Sequence, residues 1–445
     1  MSYQHDKELL RPLAEAYLTL CGQPAQQQRR RDWRALNSLR MTRPLLYVRA
    51  FAWEEMAEAA LFCRTPAGQR IERSLRYQLY WGALDDDSIF EPYLVLPACH
   101  RHSGWGYAIQ RNRSGHPRGS FKVDYPLKDL DDLSGLQTPV HSIAEEETAR
   151  QLAIWQELLD GILPVYLDRA SVYRFWGGDI STDLGYLRGI ENIMLDLSDN
   201  PAGLHRLCAW MSAGILKAQA EAEAAGDWSF LDHQNQAMPY AEELTAPGPG
   251  RAQRADLWCF MAAQEWTLIS PQHFEEFMLQ YQLPILKQFA LTAYGCCEDL
   301  TQKISVLRQI PNLRRIAVSP FADVGACAGG AHGDDLDGIG ALHGGNGVAG
   351  VDRTLEGVGA VDLGDVTDLG HVELGSHARS HVLAAGGSRE QDVAVVAGHG
   401  QHLGGQVLGQ AFGQGGAISV HHLAHASDLG GGLGSGSGVA ASHQH

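Results

Sequence analysis

The densest group of chemically capable side chains is Tyr294-Gly295-Cys296-Cys297-Glu298. It follows an apolar run at 290–294 that predicts a strand, and precedes a stretch at 300–310 that predicts a helix. At such a strand-to-helix junction a thiol lies near a helix N-terminus, whose partial positive charge favours thiolate. A thiolate is the ligand a soft divalent metal such as zinc takes. Adjacent cysteines on an extended chain point to opposite faces, so one of the pair is expected to face a pocket. Two buried structural cysteines are the other reading of the same residues, because cysteine is among the most buried residue types.

His233 stands in a polar run with Asp232 and Asn235, after an apolar stretch at 228–231. Imidazole, thiolate and carboxylate from several strand ends could meet on one ion, although a histidine in a polar loop is also simply hydrogen-bonded. Arg49 ends the apolar run 45–49 and could grip a substrate carboxylate with two parallel hydrogen bonds, or pair with Glu54 or Glu55 at the surface. Glu91 falls inside a strand expected at 89–96, which would carry it towards a pocket. The preceding Asp85-Asp86-Asp87 reads as a solvated turn.

These residues need a scaffold. Strands are expected at 45–49, 89–96, 163–167, 228–231, 290–294 and 313–318. Amphipathic helices are expected at 5–21 and 144–160, the second closed by Gly161. Asn200-Pro201 and Ser270-Pro271 have the side chains of an N-cap followed by a first helical proline. Alternating strands and helices predict a parallel α/β sheet, whose ligands gather at the carboxyl ends of the strands.

The composition breaks near Val324. Residues 1–324 hold all 10 tryptophans, all 14 tyrosines, all 18 prolines and every lysine, whereas 325–445 hold 31 of the 50 glycines and 12 of the 20 histidines. A segment so rich in glycine loses too much backbone entropy to build a core easily. It reads as a disordered extension, as a glycine-rich β-roll, or, in the reading favoured here, as an out-of-frame translation. Translating the DNA beyond codon 324 in its other frames tests the last. The expected division is an N-terminal helix and linker at 1–30, a catalytic domain at 31–324 and a Gly/His-rich tail at 325–445.

A formal net charge of −17 opposes a nucleic-acid partner, and Arg29-Arg30-Arg31 reads as a solvated linker. Scattered cysteines form no disulfide framework, and no apolar stretch is long enough for a membrane span, so a cytoplasmic location is expected. A small-molecule substrate is expected.

Six stretches together resemble the uroporphyrinogen decarboxylase superfamily: RDWRALNSL (31–39), RPLLYVRAFAWEEM (43–56), LRGIENIMLDLSDNPAGLHRL (187–207), QEWTLISPQHFEEF (264–277), YGCCEDLTQKI (294–304) and NLRRIAVSPFADV (312–324). The resemblance implies a TIM-type (β/α)8 barrel, here with about six βα units. It also implies one of two chemistries. Zinc-dependent methyltransferases of the superfamily work with a corrinoid on a partner protein, and Cys296 matches the cysteine of their zinc motif. Tyr294 stands where that motif has histidine, so Glu298 or His233 would complete the ligand set. The motif's later cysteine falls in the region taken by the tail. Decarboxylases of tetrapyrrole synthesis use no cofactor. Pro44 and Arg49 match their first strand, but Phe51-Ala52-Trp53 stands where a second arginine follows, and Phe90-Glu91-Pro92 replaces an aspartate stretch. Arg49 and Glu91 are the catalytic candidates. The resemblance therefore favours a zinc- and corrinoid-linked methyltransferase-like enzyme, with decarboxylation or a truncated non-catalytic remnant as alternatives.

Overall fold

The computed structural model describes residues 3–40, 42–48, 53–101, 104–113, 121–331 and 394–397. Arg49 and most of the tail lie outside the described residues. The architecture is mixed α/β.

Helices α1 (Gln4–Cys21), α2 (Pro24–Asn37) and α3 (Pro66–Gly82) open the chain. The run Arg29-Arg30-Arg31, expected as a solvated linker, is thus helical. Its arginines are engaged, with Arg29 buried and paired to Asp85 and Arg30 paired to Glu91. Thr65 caps α3 by accepting from the Gly68 N–H, with proline at the first helical position.

Strand β1 (Leu94–Pro97) follows, then a small antiparallel hairpin of β2 (Gln110–Arg113) and β3 (Phe121–Asp124). After α4 (Glu145–Leu159), β4 (Val165–Asp168) pairs with β1 in parallel. Asp160 closes α4 in the left-handed region at φ 51°, one residue ahead of Gly161. One core lies between α1, α3 and α4 and the β1–β4 pair, with Leu10, Ile71, Leu75, Leu94, Leu96, Leu158 and Val165 buried together. Fully burying each such side chain contributes roughly 1.5–3 kcal/mol.

Helices α5 (Ser181–Arg188), α6 (Ile190–Asp199) and α7 (Pro201–Ala225) come next, with Asn200 Oδ1 accepting from the Gly203 N–H at 2.9 Å as the cap of α7. The remaining strands are β5 (Trp258–Met261), β6 (Leu291–Tyr294), β7 (Leu313–Val318) and β8 (Ala394–Ala397), in one four-stranded parallel sheet in that order. Between β5 and β6, α8 (Pro271–Phe274) runs through a π-helical turn at Glu275–Leu279 into α9 (Gln280–Leu286). Cys259, Met261, Tyr294, Ile316 and Val318 turn towards α7 and α9 to form the second core. Trp258, Leu291 and Ala293 turn to the other face.

Several expectations are corrected. Residues 228–231 form no strand: Ser229 makes one bridge to Arg251 and Phe230–Asp232 is a 3-10 turn. The strand β5 went unforeseen, although it is an apolar run buried at all four positions like β6. The helix expected at 300–310 is one turn only, α10 (Ile304–Leu307), ahead of α11 (Val324–Ala331). Of the aspartate triplet only Asp85 is solvated; Asp86 and Asp87 are not. Asp87 Oδ2 accepts from the Leu46 N–H at 2.7 Å, and Asp86 Oδ2 accepts from the Val48 N–H at 2.8 Å. Both aspartates are buried, and residues 44–48 run extended beside them without joining a sheet. Among the described residues the strands form three small sheets, and none closes into a ring. No helix of the described residues is long and apolar enough to cross a membrane.

Candidate functional site

Two groups of polar side chains gather at carboxyl ends of parallel strands. The first begins where β6 ends. Gly295 holds φ +94° and gives its N–H to the Met261 carbonyl at 2.8 Å. A Cβ at that position would lie 2.6 Å from Leu300 Cδ1, so glycine is required on both counts. Glu298 then ties two loops together, Oε2 accepting from the Cys296 N–H at 2.8 Å and Oε1 from the Ala263 N–H at 2.9 Å.

This turn brings the two sulfurs to one side, with Cys296 Sγ and Cys297 Sγ 3.6 Å apart. The expected opposite-facing arrangement is therefore corrected, because Gly295 ends the extended geometry on which it rested. Cys296 is half-buried and Cys297 exposed. The two thiols are hydrogen-bonded, and either sulfur can be the donor. The hydrogen bond to Cys297 and burial push the Cys296 thiol up, while the hydrogen bond to Cys296 holds Cys297 below the usual thiol range. The nearest helix, α10, starts only at Ile304, so its N-terminus is not what favours the thiolate.

Glu265, a carboxyl shielded from water, lies close enough to act on Cys297, and Asp179 and Asp183 act on Glu265 or are acted on by it. Burial and the neighbouring Glu265 push Asp179 well above the usual carboxylate range. Burial likewise raises Glu265, which accepts from the Ser181 hydroxyl. Asp183 is pushed by burial to about 6 and accepts from Trp105 Nε1. Gln282 anchors this bed from the helix side, with Nε2 donating to the carbonyls of Asp179 (2.7 Å) and Ala262 (2.9 Å) and Oε1 accepting from Tyr294 Oη (2.7 Å). Tyr294 thus faces the helices, away from the sulfurs.

The second group sits where β1 and β4 end. Asp168 is the last residue of β4, and its carbonyl accepts from the Ala98 N–H just past β1. The Arg174 guanidinium bridges Asp168 and Asp232, donating to Asp232 Oδ1 at 2.6 Å. Burial pushes Asp232 to about 7, with Asp168 reinforcing the rise. His141 Nε2 lies 2.8 Å from Asp227 Oδ2, and Arg169 Nε donates to Asp227 Oδ1 at 2.6 Å. Among the described residues His141 Nδ1 is buried without a hydrogen-bond partner. The His100 ring stands 5.5 Å from that of His141, and burial, then His141, lower it to about 4. The β4–α5 loop links the groups, carrying Arg174 to one and Asp179 to the other.

The expected site residues are only partly brought together. Cys296 and Glu298 share the β6 loop. His233 does not join them. Its Nδ1 accepts from the Trp258 N–H at 3.3 Å and its Nε2 donates to the Thr245 carbonyl at 2.9 Å, so a neutral ring has no lone pair left for a metal. Burial holds it neutral, lowered to about 4. Trp258 opens β5, about 10 Å of strand below the Met261 level where Gly295 docks. Glu91 lies three residues before β1 instead of inside it, paired with Arg30 at 3.0 Å and accepting from the Tyr240 hydroxyl. That places it at the amino end, away from both groups. Arg49 is outside the described residues. Among the described residues no group of three or more His, Cys, Asp or Glu side chains is placed to hold a metal ion, so the set Cys296, Glu298 and His233 does not fit zinc as a centre.

His100, His141, Arg174 and Asp227 escaped the sequence reading. Asp168, directly following the expected strand at 163–167, carried a legible signal as a charge at a strand's carboxyl end. The two histidines carried none, since 41 residues separate them. Comparison with protein families and with curated proteins gives no match for this chain.

Proposed function

We propose that the chain is an enzyme of the uroporphyrinogen decarboxylase superfamily whose β1–β4 pair and four-stranded sheet are arcs of one (β/α)8 barrel. Its reaction is methyl transfer to the sulfur of a small thiol. A corrinoid-bearing partner protein supplies the methyl group in this reading, and no step is assigned to zinc.

One observation carries the reading: the Cys296–Cys297 sulfur pair, 3.6 Å apart at the carboxyl end of β6. With Cys296 S–H taken as the donor, thiolate is favoured on the more exposed sulfur, in line with the lowered Cys297 thiol. That thiolate takes the proton of the acceptor thiol. The acceptor sulfur attacks the methyl carbon, the new C–S bond forms, and the bond to the donor breaks with its electron pair leaving on the donor. Burial and their mutual repulsion disfavour the charged forms of Asp179 and Glu265, which lessens the negative charge facing the incoming group. The experiment is incubation of the full chain with methylcobalamin and 2-mercaptoethanol, with the thioether product measured by mass spectrometry. Cys297→Ser is expected to slow thioether formation about 100-fold. A rate untouched by that change refutes the reading.

Asp232 favours a second reading, decarboxylation of a carboxylated substrate. Its carboxyl keeps a proton to about pH 7 beside Arg174. There the C–C bond breaks, carbon dioxide departs, and the electron pair left on carbon takes the Asp232 proton. Loss of carboxyl groups from uroporphyrinogen, abolished in Asp232→Asn, is the expected result. Turnover retained in that variant removes it.

A further inference from the structure

Arg315 is the third residue of β7 and only 2% exposed. Its neighbours Ile316 and Val318 face α7 and α9, so alternation turns Arg315 to the opposite face of the sheet. Its ladder partner on β6 is Ala293, which offers no charge. A guanidinium carries five N–H donors. Arg315 uses one among the described residues, Nη1 to Asn235 Oδ1 at 3.2 Å, and its carbon lies 5.7 Å over the Trp33 ring. Among the described residues its Nε is buried with no partner, and so is Asn235 Nδ2 on the side chain it touches. The other buried arginines among the described residues each have a carboxylate: Arg29 has Asp85 and Arg254 has Glu223.

We propose that Arg315 and Asn235 bind a carboxylate group on the face of the four-stranded sheet turned away from α7 and α9. The orphaned donors are the reason. Arg315 presents its Nε edge, whose parallel N–H bonds match the two oxygens of a carboxylate, and Asn235 Nδ2 supplies a further donor. One positive charge is balanced by one negative, which favours a monoanion over a phosphate dianion. Trp33 covers the guanidinium with an apolar ring, which keeps water from competing. Burial lowers Arg315 to about 10, still well above neutral pH, so the charge needing a partner persists. The site takes the acid arm of a small organic acid, and it stands whether or not the sulfur pair promotes methyl transfer.

The test is thermal unfolding of the full chain with sodium acetate, against sodium chloride at matched ionic strength. Acetate at about 100 times its dissociation constant is expected to raise Tm by about 2–4 °C over chloride. Arg315→Met, similar in volume, is expected to abolish that rise. Should Arg315→Met fail to fold, Asn235→Ala keeps the charge and is expected to weaken acetate about tenfold. Equal stabilisation by chloride and acetate overturns the proposal, as does an acetate response that survives both substitutions.

Discussion

His141 Nε2 and Asp227 Oδ2 lie 2.8 Å apart, with Arg169 on the other oxygen of the same carboxylate. A strand end, a helix end and a loop are thereby joined through one carboxyl group. Burial alone would raise Asp227, but the bonds from His141 and Arg169 outweigh it and hold the group below the usual carboxylate range.

That depression fixes a sign. A carboxylate lowered in the folded state contributes stability above its ordinary value, and the contribution is lost as pH falls through the folded value. Asp227→Asn is expected to cost about 2–3 kcal/mol at pH 7 and much less in strong acid, where both side chains are neutral. Urea unfolding at the two pH values checks it, and an equal loss at both contradicts the ion-pair account.

Asp232 and His100 pull stability in opposite directions. Asp232, raised by burial from 3.8 to about 7, keeps its proton in the folded state where the unfolded chain has released it. Stability from this group falls as pH rises across that window. His100, lowered by burial from 6.5 to about 4, stays neutral where the unfolded chain takes a proton, so its contribution rises from about pH 4 to 6.5. Asp232→Asn is expected to leave a steeper rise with pH, and His100→Gln a fall, each by up to about 1.4 kcal/mol per pH unit. Profiles of the two variants that both overlay the parent sink this assignment.

The sulfur pair predicts a labelling pattern. With Cys296 taken as the donor, Cys297 is expected to react with iodoacetamide first and at lower pH than an ordinary thiol. Cys296→Ser offers a weaker arrangement, and the midpoint of the Cys297 alkylation profile is expected to move up by about one pH unit. Peptide mapping across a pH series reads this directly. A midpoint indifferent to residue 296 means that no hydrogen bond from Cys296 lowers the Cys297 thiol.

Asp86 is expected to be costly to remove. It accepts from the Val48 N–H at 2.8 Å, Trp81 Nε1 at 3.1 Å and the Ser88 N–H at 2.9 Å. Asp86→Ala leaves all three donors without that partner, and about 3 kcal/mol of destabilisation follows. Chemical denaturation measures it, and a loss under about 1 kcal/mol shows that water replaces the carboxylate.

What the sequence made legible follows the physics of each segment. The caps at Asn200 and Ser270 are local, so their side-chain hydrogen bonds appear where residue type places them. The strands at 165–168, 291–294 and 313–318 were legible from apolar runs of strand length. Long-range pairings were not. Asp227 and His141 are 86 residues apart, and nothing in their neighbourhoods announces the contact. Glu91 and His233 were misplaced because type and approximate position do not say at which end of a strand a residue lies. A shift of three residues moved Glu91 from the expected strand to the opposite end from the sulfurs. Asp86 and Asp87 misled for another reason: composition suggested solvent, while backbone N–H groups of residues 44–48 supplied the partners.

Those partners have a consequence for self-association. An extended segment that pairs with no strand normally offers a row of free amides on which a second molecule can grow a sheet. At Leu46 and Val48 the amides are already occupied, because Asp86 and Asp87 stand in for a neighbouring strand while Asp87 N–H returns to the Leu46 carbonyl. Two carboxylates thus act as a counterfeit strand, and an intruding chain would meet negative charge where it needs hydrogen-bond donors and acceptors.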